Sequence, residues 1–404
     1  GKQSYLRRHL GLEPVHYLHP LLEPIMNDTY GCLIYQEQVI QVAAAVAGMT
    51  LAEADGLRRC MSKKRNWNHM STYRERFFSG AGKNGISEPV IKEIFRQIES
   101  FAGYAFCKAH SASFAVESFE SMYWKSHHPA EFMAAVLSNQ GGYYSQLEYL
   151  EEARRLGVSI LPPCVVHGEE RFHGRNMELR VGLAQIRHMH RETLDRLLAE
   201  RKREPFASLL DFLSRVEPDE RELLGMAMAG ALDCFGLTRP QLLWVVRLLY
   251  DKGSMRLGRL QAMINDIPKL PEFSEEDRIG RELEALDLCV SGHPLRMYPD
   301  KLAWLRKRRR IVPAAELAGF APHDVYCIGW RVTGKITRTG TDNKLMEFMT
   351  FSDESGRFEA VFFPESFQRN AAELRRGRGP FLIKGRVQME FGAENLMASD
   401  VKLL

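Results

Sequence analysis

The sequence predicts an α+β chain of several domains: a mainly helical amino-terminal domain, a mixed segment containing paired short helices, and a carboxy-terminal β-barrel. Three observations predict it. Helix-opening pairs, Thr50 with Glu53 and Ser145 with Glu148, punctuate the first part. A double proline, Pro162-Pro163, interrupts the helical pattern just after Gly157. From Val325 the apolar pattern turns strand-like. At 404 residues and 45% apolar content the chain can bury two or three cores.

From Leu6 to about Leu156 the pattern is helical. Thr50 and Glu53 open a helix through Leu57, Arg58 and Arg59, with Leu51, Ala54 and Leu57 able to face a core and the basic side chains left outside. Pro129 suits the first position of a helix over Ala130 to Leu137, and Ser145 opens another that ends near Gly157. Short strands are expected at Glu170 to His173 and Glu178 to Leu183, then helices from Arg191 to Arg203 and Ser208 to Arg215. Leu223 to Leu249 reads as paired helices joined at Cys234-Phe235-Gly236, a helix-hairpin arrangement. Asp266 to Glu276 reads as a linker before a charged helix from Glu275 to Leu288. Strand-like runs at Tyr326–Val332, Leu345–Ser352, Arg357–Phe363 and Pro380–Met389, with a helical stretch at Glu365–Leu374, describe four or five strands of a small Greek-key barrel of the OB type. The expected divisions are 1–157, 158–250, 251–324 and 325–404.

The net charge of +4 is mild, so a polyanion-binding role must rest on where cations cluster. No apolar run reaches bilayer-spanning length and no secretory h-region opens the chain, which leaves a cytoplasmic protein without a membrane partner as the expectation. The seven cysteines are scattered without a CxxC pair, arguing for reduced thiols rather than a zinc knuckle or disulfide framework. His127, His128, His188 and His190 lack the neighbouring thiols or acids that would make them metal ligands. No carboxylate couple stands out for a metal, so none is assigned within the chain, and no catalytic residue either.

Two basic elements stand out. The first is Arg58, Arg59, Lys63, Lys64 and Arg65, which could equally be a solvated helix end. The second is Lys108 and His110, beside Ser111 and Ser113 at an expected helix start, where free backbone N–H groups can take an anion. Phe101, Tyr104 and Phe106 lie just before it and could stack on a base or fill a core. Asp55 is expected to pair with a neighbouring arginine, and the polar residues of Tyr35-Gln36-Glu37-Gln38 to serve as caps or interior hydrogen bonds. In the barrel, Arg331, Lys335, Arg338, Lys344, Lys384 and Arg386 suit a groove for single-stranded nucleic acid, or merely an edge protected against pairing.

Thr29-Tyr30-Gly31, Tyr35-Gln36-Glu37-Gln38, Leu57-Arg58-Arg59 with Lys63-Lys64, Phe101-Ala102-Gly103-Tyr104, Lys108 with His110-Ser111-Ala112, Pro129 to Ala135 and Leu161-Pro162-Pro163 together resemble the bacterial C-family replicative polymerase, the DNA polymerase III alpha subunit. The resemblance spans almost the whole chain, from a fingers region through helix-hairpin-helix units to an OB domain. It implies that Arg58 and Arg59 approach the triphosphate of an incoming dNTP with Lys63, Lys64, Lys108 and His110 nearby. It further implies that a palm holding the magnesium ions lies before Gly1, so that the fragment alone is inactive. Template-primer DNA is the implied partner, with the sliding clamp and other replisome subunits as further candidates. The second hairpin, Ala229-Gly230-Ala231-Leu232-Asp233, matches the family's DNA-gripping turn at Gly230. The first has Ile186-Arg187-His188-Met189-His190 where glycines are usual, and the clamp-binding pentapeptide is degenerate at Gly258 to Ile264. Ending after the barrel resembles the shorter, error-prone branch. A translesion polymerase and a non-catalytic single-stranded DNA-binding module are the alternative readings.

Overall fold

The computed structural model describes residues 2–62, 70–100, 106–250, 258, 267–340, 342–390 and 392–404. The chain forms two compact units, Gly1–Met122 and Tyr123–Leu404. The first is helical. Its helices are α1 (Lys2–His9), α2 (Glu23–Met26), α3 (Gln36–Ala47), α4 (Leu51–Ser62), α5 (Met70–Lys83) and α6 (Glu88–Ser100), and the longer α7 (Lys108–His127) contains the boundary. Thr50 opens α4 as the sequence predicts: its N–H donates to Glu53 Oε2 at 2.9 Å while its hydroxyl accepts from the Glu53 N–H. Val39, Val42 and Val46 from α3, Leu57 from α4, Phe77 from α5 and Ile94, Phe95 and Ile98 from α6 form the core.

Close approach of α3 and α5 depends on Gly80. A Cβ there would come 2.0 Å from the carbonyl oxygen of Ala47, a backbone atom that cannot swing aside. Gly80→Ala is therefore expected to force the two helices apart and destabilise this unit by about 1–3 kcal/mol. A urea midpoint equal to that of the parent would show that the helices do not meet this closely.

The second unit starts with α8 (Pro129–Asn139), in which Pro129 takes the first position as expected, and α9 (Gln146–Arg155). Only half of the second capping box forms: the Glu148 N–H donates to Ser145 Oγ, but the Glu148 carboxylate pairs with Arg155 at 2.9 Å instead of turning back. After the left-handed Gly157, strands β1 (Ser159–Leu161), β2 (His173–Arg175) and β3 (Glu178–Arg180) form a small sheet in the order β1-β3-β2. The run expected as a strand at Glu170 to His173 enters the sheet only at its last residue. Helices α10 (Arg191–Arg203), α11 (Leu209–Val216), α12 (Glu220–Ala229) and α13 (Arg239–Leu249) follow, then α14 (Glu275–Leu286) and α15 (Pro299–Arg308).

The barrel comprises β4 (Asp324–Arg338), β5 (Leu345–Ser352), β6 (Arg357–Phe362), β7 (Phe381–Glu390) and β8 (Ala393–Leu403), closed in the order β4-β5-β6-β8-β7, with α16 (Pro364–Leu374) between β6 and β7. This is the five-stranded OB arrangement. Alternation along β4 serves two cores: Val325 and Cys327 fill the barrel with Phe351, Phe358 and Phe381, while Ile328 and Trp330 pack into the helical core. Among the described residues no helix is long and apolar enough to cross a membrane.

Candidate nucleotide and nucleic-acid interface

On α4, burial of Ala54 and Leu57 turns Asp55, Arg58 and Arg59 outward. Asp55 takes both arginines, accepting from Arg58 Nε at 2.8 Å and Arg59 Nε at 2.7 Å. The hydrogen bond from Arg58 and the charges of both guanidiniums hold the Asp55 carboxyl below its usual range, against a smaller desolvation effect. Two guanidiniums over one carboxylate leave a net positive face. They differ in freedom. Arg58 is 23% exposed and also donates to Gln36 Oε1 at 2.8 Å, whereas the Arg59 side chain is 72% exposed. Lys63, Lys64 and Arg65 lie outside the described residues.

The next residue along, Glu37, holds the second basic element. Its carboxylate accepts the Lys108 N–H at 3.0 and 2.9 Å and the Cys107 thiol at 3.2 Å. Desolvation pushes the Glu37 carboxyl up, but the Lys108 N–H, the Cys107 thiol and the Ala109 N–H outweigh it and bring the pKa down. The expectation of free N–H groups at this helix start is thus corrected at Lys108: the anion there is the chain's own Glu37. The Lys108 ammonium projects away, 3.3 Å from Asp28 and above the Tyr35 ring, and exposed His110 meets the edge of Phe114.

Gln38 completes the segment from inside. Buried, it accepts from the N–H groups of Ile34 and Tyr35 and donates to Ile25 O and Thr29 Oγ1. Three consecutive residues thus do three jobs: Gln36 holds Arg58, Glu37 holds the start of α7, and Gln38 fixes the loop before α3. A cleft of about 470 Å³ opens near Phe106 in the same unit, but Arg8, Cys32, Ile34 and Arg96 line it rather than Arg58 or Arg59. Phe101 and Tyr104 fall outside the described residues.

In the second unit, His188 adopts the left-handed conformation, with φ of 65°, at the turn where glycines are usual. His190, two residues on, comes beside two acids that no local spacing connects to it, with Nδ1 3.1 Å from Glu222 and 3.5 Å from Asp219. Among the described residues this is the trio placed to hold a metal. It does not fit a catalytic ion. Glu222 already accepts from the His190 N–H, the Thr193 hydroxyl and the Asp219 N–H. Gly230 ends α12 with φ of 82°, and a Cβ there would lie 2.3 Å from the Arg239 guanidinium. Apart from Gly258, the degenerate pentapeptide lies outside the described residues.

The barrel separates the six expected cations. Lys335, Arg338 and Lys344 lie at the β4–β5 hairpin, where Arg338 donates to Asn343 O and Lys344 pairs with Asp342. Arg331 is half-buried and donates to Leu374 O, anchoring α16. Lys384 and Arg386 oppose Tyr326 and Asp324 at the other end of β4, roughly 40 Å of strand from the hairpin at 3.3 Å per residue. At that end runs an unbroken series of exposed cations, Arg306 to Arg310, visible in the sequence as a basic run at the end of a helix and not at its start.

Residues 2–85 match the family described as the bacterial DNA polymerase III alpha subunit finger domain, and residues 157–242 match a helix-hairpin-helix motif. A DNA polymerase III subunit alpha of Thermus aquaticus is 35% identical over 95% of this chain and 33% of its own length. An error-prone DNA polymerase of Mycolicibacterium paratuberculosis is 33% identical over 98% of the chain and 36% of the relative. A DNA polymerase III subunit alpha of Caulobacter vibrioides is 30% identical over 97% and 35%. The chain thus spans about a third of the length of these relatives. A finger domain ahead of a helix-hairpin-helix motif, with relatives of both names aligned along nearly all of the chain, supports a fragment of a C-family polymerase of the DNA polymerase III alpha type.

Proposed function

We propose that this chain is the nucleotide- and DNA-gripping part of a DNA-directed DNA polymerase, with residues 1–157 acting as fingers, 158–250 as helix-hairpin-helix units, 251–324 as connector and 325–404 as an OB domain. One observation carries the nucleotide reading: adjacent residues of α3, Gln36 and Glu37, hold the two basic elements, so Arg58 and Lys108 flank one helix turn. A dNTP triphosphate approaching that turn would meet Arg59 first, with Lys63, Lys64, Lys108 and His110 as further ligands. Fixed cations at such a site stabilise charge on the phosphates during transfer.

Magnesium is assigned to a palm outside residues 1–404, where metal ions supply the in-line displacement chemistry; the His190 trio does not fit that role. Gly230 presents backbone to a DNA phosphate, and Arg331, Lys335, Arg338, Lys344, Lys384 and Arg386 serve the template strand. The sliding clamp and other replisome subunits are proposed as partners, in the cytoplasm where the DNA lies. Relatives named DNA polymerase III subunit alpha and error-prone DNA polymerase match at the same level, so the proposed function is the polymerase chemistry common to both names.

The test is Arg59→Ala in the polymerase that carries this chain. Loss of one charge-assisted contact, about 1.5–3 kcal/mol, should raise the dNTP KM tenfold or more on the order-of-magnitude scale, with primer-template affinity nearly unchanged. Arg58→Ala should do the same and also lower stability, because Asp55 and Gln36 lose a partner. Equal loss of dNTP and DNA affinity in Arg59→Ala would refute the assignment.

A further inference from the structure

A second cationic surface lies at the amino-terminal end of β4. Five consecutive residues, Arg306 to Arg310, close α15 and continue past it, and all five are exposed. The helix dipole favours cations in a last turn, but Arg309 and Arg310 lie beyond the helix, and neighbouring like charges repel. None of the five takes part in an ion pair among the described residues. Three of them rest instead on aromatic faces. Arg308 lies 4.0 Å from the Trp304 ring centre, Arg309 4.4 Å from Tyr326 and Arg310 4.7 Å from Phe320. Lys384 shares the Tyr326 ring at 6.0 Å.

Two clefts open along this row. One of about 810 Å³ lies between Trp304, Arg308 and Arg309 and the strand residues Leu382 and Lys402. The other, about 600 Å³, lies between Arg308, Arg309 and Arg310 and Phe320, His323 and Tyr326, with Asp324 as its carboxylate. Cations held over rings, beside apolar clefts, offer phosphates a charge and bases a stacking surface at once. A duplex, with its bases already stacked and paired, would use only the charges.

We propose that Arg306 to Arg310, with Trp304, Tyr326 and Lys384, form a second single-stranded DNA site at the α15 end of the barrel, separate from the β4–β5 hairpin. It rests on the nucleic-acid reading of the barrel for its choice of ligand. Lys384 and Arg386 then belong with this surface and not with Lys335, Arg338 and Lys344.

The experiment measures anisotropy of fluorescent dT30 with the 404-residue chain across a salt series. Two exposed-surface variants are compared: R308Q/R309Q/R310Q and K335Q/R338Q/K344Q. If each arginine meets one phosphate, the first variant should reduce the slope of log affinity against log salt by about 2, at about 0.7 per phosphate on a single strand. Photocrosslinking with 4-thiothymidine should label the peptide carrying Trp304 in the parent chain and lose that label in this variant. If only the hairpin variant weakens binding, the second site is overturned and the barrel reading stands; if neither does, both fall. Tighter binding of a 30-base-pair duplex than of dT30, lost in the first variant, would overturn the single-strand assignment.

Discussion

Glu282→Ala should destabilise the unit from Tyr123 onward by about 3–5 kcal/mol, the range for breaking a buried ion pair from one side, seen as a fall in melting temperature on the order of 10 °C. The Glu282 carboxylate is inaccessible to solvent and serves four donors: Arg239 Nη1 at 3.0 Å, the N–H groups of Val290 and Ser291 at 2.9 and 2.7 Å, and the Ser291 hydroxyl at 2.6 Å. Removing it strands two backbone donors and leaves buried Arg239 with Asp233, 3.1 Å away, as its counter-charge. The opposite truncation, Arg239→Met, should cost less, roughly 2–3 kcal/mol, because Glu282 keeps its other donors. Asp233, with 40% of its side chain exposed, can turn to water. The order of the two losses is the check: a costlier Arg239→Met would make the guanidinium, not the carboxylate, the centre of the network. The same network bears on the DNA contact proposed at Gly230, since Arg239 packs under that turn. A Glu282→Ala protein still folded at low temperature should therefore bind duplex more weakly than its parent.

Local chemistry made much of this fold legible. Thr50 and Glu53 form both bonds of their capping box, Pro129 opens its helix, and the first four barrel strands cover the runs that apolar residues mark, with β4 continuing beyond Val332 to Arg338. The fifth strand, Ala393–Leu403, shows no clear alternation in the sequence because Glu394, Asn395, Ser399, Asp400 and Lys402 dilute it; pairing with β7 along its whole length makes it a strand. The candidate site was legible as a set of charges but not as a set of partners. Arg58 and Gln36 are 22 residues apart, and Lys108 and Glu37 are 71 apart. No spacing rule connects them, so an occupied helix start looks the same in the sequence as an open one. The capping box at Ser145 fails for the same reason: Arg155 and Arg357, brought in by the fold, compete for Glu148.

His293 offers the sharpest pH signature. It is 3% exposed; its Nδ1 accepts the Leu295 N–H at 3.2 Å, which leaves Nε2 to donate to Ser352 Oγ at 3.3 Å, a neutral imidazole with both nitrogens used. Burial, then the charges of Arg154, Arg155 and Arg296, pushes its pKa down to about 3. Glu148 and Glu151 line the same small cavity as His293 and Ser352, and desolvation pushes both carboxyls up. The folded chain therefore refuses a proton that the unfolded chain accepts below its ordinary value of 6.5. Stability from this group is complete above that value and declines as pH falls toward 3, by about 1.4 kcal/mol per unit. Glu148 and Glu151 act in the opposite sense, taking up protons in the fold before they would when unfolded, so the wild-type curve alone mixes the two effects. Comparison with His293→Gln separates them, because both carboxyls remain. Between pH 6.5 and 5 the parent should lose roughly 2 kcal/mol relative to the variant, bringing their urea-unfolding free energies closer together. Parallel curves across that interval would mean that His293 is not held neutral.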